Sequence, residues 1–141
     1  GQQNIIAQQN LVDNTRFVLE QMSRQIRMAQ RDESGACSGT AKSTYTAGGA
    51  SLTFIDYKSN CLTYDISVSK IRMRPSTGEA FLNLTSDDIE VNSVSFDVRG
   101  RMAQDTEQPR VTISLEAQDA NLDTSKILLQ TTISNRNIDV P

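Results

Sequence analysis

The sequence predicts an α+β protein, with one long N-terminal helix packed on an antiparallel β-sheet. Two observations predict it. The first thirty or so residues carry apolar side chains at helical spacing with no Gly or Pro after Gly1. Beyond residue 50 the chain alternates polar with apolar and β-branched residues, as a sheet with one wet face does. Helix first and strands after is the order of a segregated α+β domain.

In the helical stretch, Leu11, Thr15, Val18, Met22, Ile26 and Ala29 recur at steps of three and four, so they share one stripe. Val12, Leu19 and Ile26 widen it. Asp13, Arg16, Glu20, Arg24 and Arg27 fall mostly off it. Arginines in the last turns suit the negative end of the helix dipole, and Asp32-Glu-Ser-Gly35 offers a stop. A helix of about 28 residues is ~42 Å long, more than a domain of this size needs, so its start is expected to protrude. The organisation is therefore a helix over 1–33 and a sheet domain over 34–141.

Residues 34–50 are polar and glycine-rich and read as a loop. Ser51–Tyr57 is a strand with Leu52, Phe54 and Asp56 on one face. Lys58–Asn60 turns the chain, and Cys61–Ser67 returns. Lys70–Arg74 follows, stopped at Pro75, and Phe81–Leu84 is short. Thr85-Ser-Asp-Asp88 reads as a cap over one helical turn. Val91–Val98, Arg110–Ala117 and Lys126–Ser134 are strands, the first with Val94, Phe96 and Val98 on one side.

Composition narrows the functions. The chain has 141 residues, no His and a net charge of −3. Without His there are no His-based triads, general bases or metal ligands. No Lys/Arg run is long enough for a nucleic-acid stripe, and no nucleic-acid partner is expected. There is no signal peptide and no run of ~18 apolar residues. Gly1 reads as an added residue, so a preceding segment of the natural chain is expected to be missing. Cys37 and Cys61 lack CxxC spacing. In an exported protein they would pair and close a loop of about 25 residues; two buried reduced thiols in a cytosolic protein are the other reading.

The stretch Asn14-Thr-Arg-Phe-Val-Leu-Glu-Gln-Met-Ser-Arg-Gln-Ile-Arg-Met-Ala29 resembles the second half of the long helix of minor type IV pilins and type II secretion pseudopilins. Ile71-Arg-Met-Arg74, Leu84-Thr-Ser-Asp-Asp88, Val94-Ser-Phe-Asp-Val98, Pro109–Leu115 and Leu129–Asn137 fit the same group. The similarity is closest to the pilin W or pseudopilin J kind. It implies a bacterial, extracytoplasmic subunit of a type IV pilus or type II secretion filament. It also implies a membrane-anchored precursor that assembles with other pilin or pseudopilin subunits through its helix. The family's Gly-Phe-Thr-Leu-Ile-Glu-like processing site and transmembrane half are lacking and would lie just upstream of Gln2, where they would enter the inner membrane.

The candidate assembly residues are Ile5, Ile6, Leu11, Val12, Val18 and Met22. Ile5, Ile6 and Ala7 form an apolar cluster beyond the expected edge of the sheet, where a monomer has nothing to bury them. An ordinary core-covering helix accounts for the stripe from Leu11 onward. Asp119-x-Asn121-x-Asp123 starts like a calcium loop, but Thr124 and Gln130 stand where an EF-hand needs Gly and Glu. Asp87–Asp88 reads as a cap, and Ser69–Lys70 has poor geometry for a dyad because strand neighbours face opposite sides. Arg72, Arg74, Arg99, Arg101 and Arg110 read as a solvated face rather than a phosphate-binding one, because the acids Asp97, Asp105 and Glu107 are interspersed among them. No catalytic group, metal or cofactor is expected. The alternative to a filament subunit is a stand-alone extracytoplasmic domain that binds a ligand or surface through its loops.

Overall fold

A computed structural model describes the backbone of residues 2–102, 108–121 and 126–136, and side chains at residue 6 and from residue 8 onward within those ranges. A single helix, α1 (Gln2–Arg27), precedes eight strands. The strands are β1 (Gly48–Gly49), β2 (Leu52–Ile55), β3 (Cys61–Ser67), β4 (Lys70–Arg74), β5 (Leu82–Asn83), β6 (Ile89–Arg99), β7 (Arg110–Asp119) and β8 (Lys126–Ser134). The α+β class holds, with one difference: there are two antiparallel sheets rather than one, ordered β1-β6-β7-β8 and β2-β3-β4-β5.

Helix α1 lies over β7 and β8. Its stripe is buried as the spacing predicts: Leu11, Thr15, Val18, Leu19, Met22, Ile26 and Ala29 are all inside. They meet Val111, Ile113, Leu115 and Ala117 from β7 and Ile133 from β8 in one core. Strands β6 and β7 alternate inward and outward along most of their length, and a bulge between Val91 and Ser93 corrects the pleat of β6. The second sheet adds Leu52, Phe54, Leu62, Tyr64 and Ile71 to the same core.

The helix ends at Arg27, earlier than the Asp32–Gly35 stop. The carbonyls at and just beyond its end are taken up by groups from elsewhere in the chain. The Tyr45 hydroxyl donates to the Ile26 carbonyl at 2.6 Å. The Asn135 amide donates to the Ala29 carbonyl at 3.0 Å, and the Arg136 N–H to the Arg27 carbonyl at 2.8 Å. Helix ends leave carbonyls unpaired, and buried ones need such partners.

The 34–50 segment is tied down rather than open. Asp32 is buried, and its carboxylate accepts from the N–H groups of Gly35, Cys37 and Ser38 and from the Ser38 hydroxyl, at 2.7–3.1 Å. Further on, Ser43 bridges to Asp32, Tyr45 bridges to Phe54, and Gly48–Gly49 pairs with β6. Gly48 has φ +94° and a Cβ there would stand 2.4 Å from the Phe96 carbonyl oxygen, so only Gly fits. At 85–88 no helix is formed, only a single turn closed by the Ile89 N–H donating to the Ser86 carbonyl at 3.2 Å, and Thr85 does not cap it. Thr85 is instead buried, and its hydroxyl accepts from the Ile71 N–H at 3.3 Å.

Candidate interaction surface

The six predicted assembly residues divide sharply. Leu11, Val18 and Met22 are buried in the chain's own core, and Val12 is half-buried. They hold α1 to the sheet and offer no free surface. Ile6 is 57% exposed. The side chain of Ile5 lies outside the described residues.

Sequence reasoning passed over Phe17, which is 65% exposed on α1. Ile6 and Phe17 are eleven residues apart, about three turns, so they point within about 20° of each other. Both are turned away from the buried stripe. Gln8, Gln9, Asn10, Asp13, Asn14, Glu20, Gln21 and Arg24 around and between them are exposed. The outer face of α1 is thus polar with two large apolar side chains set along one line. Phe17 is legible as the one aromatic on the helix and as a residue off the stripe, but helical period marks only the face a helix buries in its own domain.

Cys37 and Cys61 form a disulfide with a Cα–Cα distance of 5.6 Å. It ties the loop after α1 to the first residue of β3. A closed disulfide is consistent with an oxidising, extracytoplasmic compartment. The Asp32 carboxylate positions the backbone of Cys37 directly, through the Cys37 N–H at 2.9 Å. Burial raises the tendency of Asp32 to hold a proton, but the bonds from Ser38, Cys37 and Gly35 outweigh it and keep the carboxyl below its ordinary value.

The remaining candidates do not assemble into a site. The Asp119 carboxylate accepts from the Asn121 N–H at 2.8 Å, the bond of an Asx turn, and Asp123 lies outside the described residues. Among the described residues, no three His, Cys, Asp or Glu side chains come together as metal ligands. The arginines are split between the sheets. Arg72 is held by a two-pronged bond to Asp65 at 2.9 and 2.7 Å and stacks 4.1 Å from the Phe81 ring centre. Arg99 and Arg110 face each other on β6 and β7, with Asp97 3.6 Å from Arg99. Asp105 and Glu107 lie outside the described residues. Ser69 and Lys70 do not form a dyad: the Lys70 ammonium donates to the carbonyls of Ser86 and Ile89, both at 2.6 Å.

The class these observations define is an α+β domain of one helix on two antiparallel sheets, stapled by a disulfide. Among the described residues no helix is long and apolar enough to cross a membrane. Comparison with family models, curated proteins and solved structures finds no match to this chain.

Proposed function

We propose that this chain is a non-enzymatic structural subunit of an extracytoplasmic filament of the type IV pilus or type II secretion kind, a minor pilin or pseudopilin. It assembles with other such subunits through the outer face of α1. The observation that carries the reading is the pair Ile6 and Phe17, large apolar side chains exposed along one line of a helix whose opposite face is fully used by the core. Apolar groups held in water in this way favour burial against a partner. The resemblance of Asn14–Ala29 to the pilin-type helix says what partner: helices of like subunits. The mechanism is mechanical. The helix packs among other helices, and the sheets stay outside and set lateral contacts. The disulfide suits the same compartment.

The coding sequence upstream of Gln2 in the native gene tests this class. A Gly-Phe-Thr-Leu-x-Glu-like site followed by about 20 apolar residues is the expected finding. A cleavable secretory signal or a polar domain joined directly to Gln2 would sink the filament reading.

A further inference from the structure

The two sheets have four outer edges, and three of them are blunted. β5 is two residues long, and the outer edge of β6 is taken up in part by the two-residue β1 at Phe96 and Asp97 and in part by Ser69 and Lys70, whose carbonyl and ammonium bond the Val91 N–H and the Ile89 carbonyl at 2.9 and 2.6 Å. β2 is covered by bridges from Gln30 to Ile55 and from Tyr45 to Phe54. The fourth edge, β8, is nine residues long, and among the described residues only β7 pairs with it. Apart from Lys126 at its very start it carries no charge and no Pro. Sheet proteins ordinarily protect such an edge with those residues, a bulge or a cover.

We propose that β8 is a self-pairing edge, and that its occupant is β8 of a second copy of this chain, antiparallel about a two-fold axis at Gln130. The register follows from the pleat. Residues opposite each other must share a face, so only registers whose paired numbers sum to an even value keep the inner face continuous. Of these, the one centred on Gln130 pairs all nine residues, and every other shortens the ladder. It sets Ile127 opposite the partner's Ile133 and Leu129 opposite the partner's Thr131 on the inner face. On the outer face it sets Leu128, which is 74% exposed, opposite the partner's Thr132, and Gln130 opposite its own copy. Lys126 falls opposite the partner's Ser134, so no like charges meet.

The helices fit this arrangement. The two-fold stands perpendicular to the joined sheet, which places both α1 helices on the same side. A helix over the β7–β8 pair lies about 5 Å from that axis, given strands about 4.8 Å apart, so two copies stand about 10 Å apart, within ordinary helix packing. The surface is self-complementary, as an isologous contact requires. Being short, it makes a weak, concentration-dependent pair. The proposal does not rest on the filament reading. Two-fold pairing sets two helices in opposed directions, so it belongs to unassembled chains and competes with head-to-tail assembly.

Single cysteines on exposed β8 positions test the register in the whole chain, with the native disulfide kept closed. Under mild oxidation Gln130→Cys is expected to form a covalent dimer. Lys126→Cys and Ser134→Cys are each expected to stay monomeric alone and to cross-link when mixed. Sedimentation equilibrium over about 10 to 1,000 μM should show the unmodified chain moving toward twice its monomer mass. Gln130→Lys, which sets two lysines face to face, should weaken pairing by up to about fivefold. Equal melting temperatures of Gln130→Lys and the parent exclude a folding defect as the cause. A chain that remains monomeric throughout, or cysteines that cross-link equally at all three positions, overturns the proposal.

Discussion

The side-chain amide of Asn135 donates to the hydroxyl of Tyr45 at 3.0 Å, and both residues are buried at the end of α1. The Tyr45 hydroxyl in turn donates to the Ile26 carbonyl, while the Asn135 amide also donates to the Ala29 carbonyl. Burial pushes the Tyr45 hydroxyl far above the usual phenol range, and the bond from Asn135 offsets only part of that. It therefore stays protonated and remains a donor. Two residues 90 positions apart thus join the end of the last strand, the loop before β1 and the end of the helix.

Removing either partner leaves a buried polar group without its bond. Asn135→Ala and Tyr45→Phe are each expected to destabilise the fold by about 1–3 kcal/mol in urea unfolding. The double variant should cost less than the sum, because the two groups serve one network.

Asp32 makes acid stability sensitive to one carboxylate. Its pKa is depressed in the folded chain, against about 3.9 unfolded, so its contribution is present above the unfolded value and lost as pH falls through the folded one. Asp32→Asn should lower the melting temperature at neutral pH. Its melting temperature should also fall less steeply than the parent's between about pH 5 and pH 2.

The Cys37–Cys61 bond closes a loop over a sequence separation of 24. Cys37→Ser with Cys61→Ser should cost about 2–4 kcal/mol in denaturant unfolding. Because Asp32 anchors the same loop, adding Asp32→Ala to the reduced protein should cost more than it does in the oxidised one.

The two faces of α1 should respond oppositely. Met22 is fully buried, so Met22→Ala is expected to cost about 2–5 kcal/mol of stability. Phe17→Ser should leave thermal stability within about 0.5 kcal/mol of the parent, because the side chain supports nothing inside the domain.

Much of this fold is legible locally. The stripe from Leu11 to Ala29 follows from helical period, and the β6, β7 and β8 ladders from alternation. Asp56 shows the same for a turn: its carboxylate accepts from the Lys58 and Asn60 N–H groups at 2.9 Å, where the chain was expected to reverse. What local pattern does not carry is partnership at a distance. Asp32 reads as a stop signal because the amides it binds are recruited by a loop with no period of its own. Thr85 reads as a cap because its use, receiving the Ile71 N–H, depends on how β4 returns. The split into two sheets depends on which strands pair, and alternation is the same either way. Phe17 was hidden for a simpler reason. Periodicity finds the face a helix buries in its own domain, and Phe17 lies on the other one.

The most direct test of assembly through α1 is cross-linking in the native filament-forming setting. Cysteines at Ile6 and Phe17 would be introduced singly into the full natural gene and labelled in intact cells with a short heterobifunctional reagent that couples to the thiol and, on irradiation, bonds to any neighbouring chain. Glu79→Cys, on the exposed loop between β4 and β5, serves as the control. The account predicts covalent adducts to neighbouring subunits from Ile6→Cys and Phe17→Cys, in clear excess over any from Glu79→Cys. Adducts absent from both helix positions, while the protein is made and folded, would contradict it.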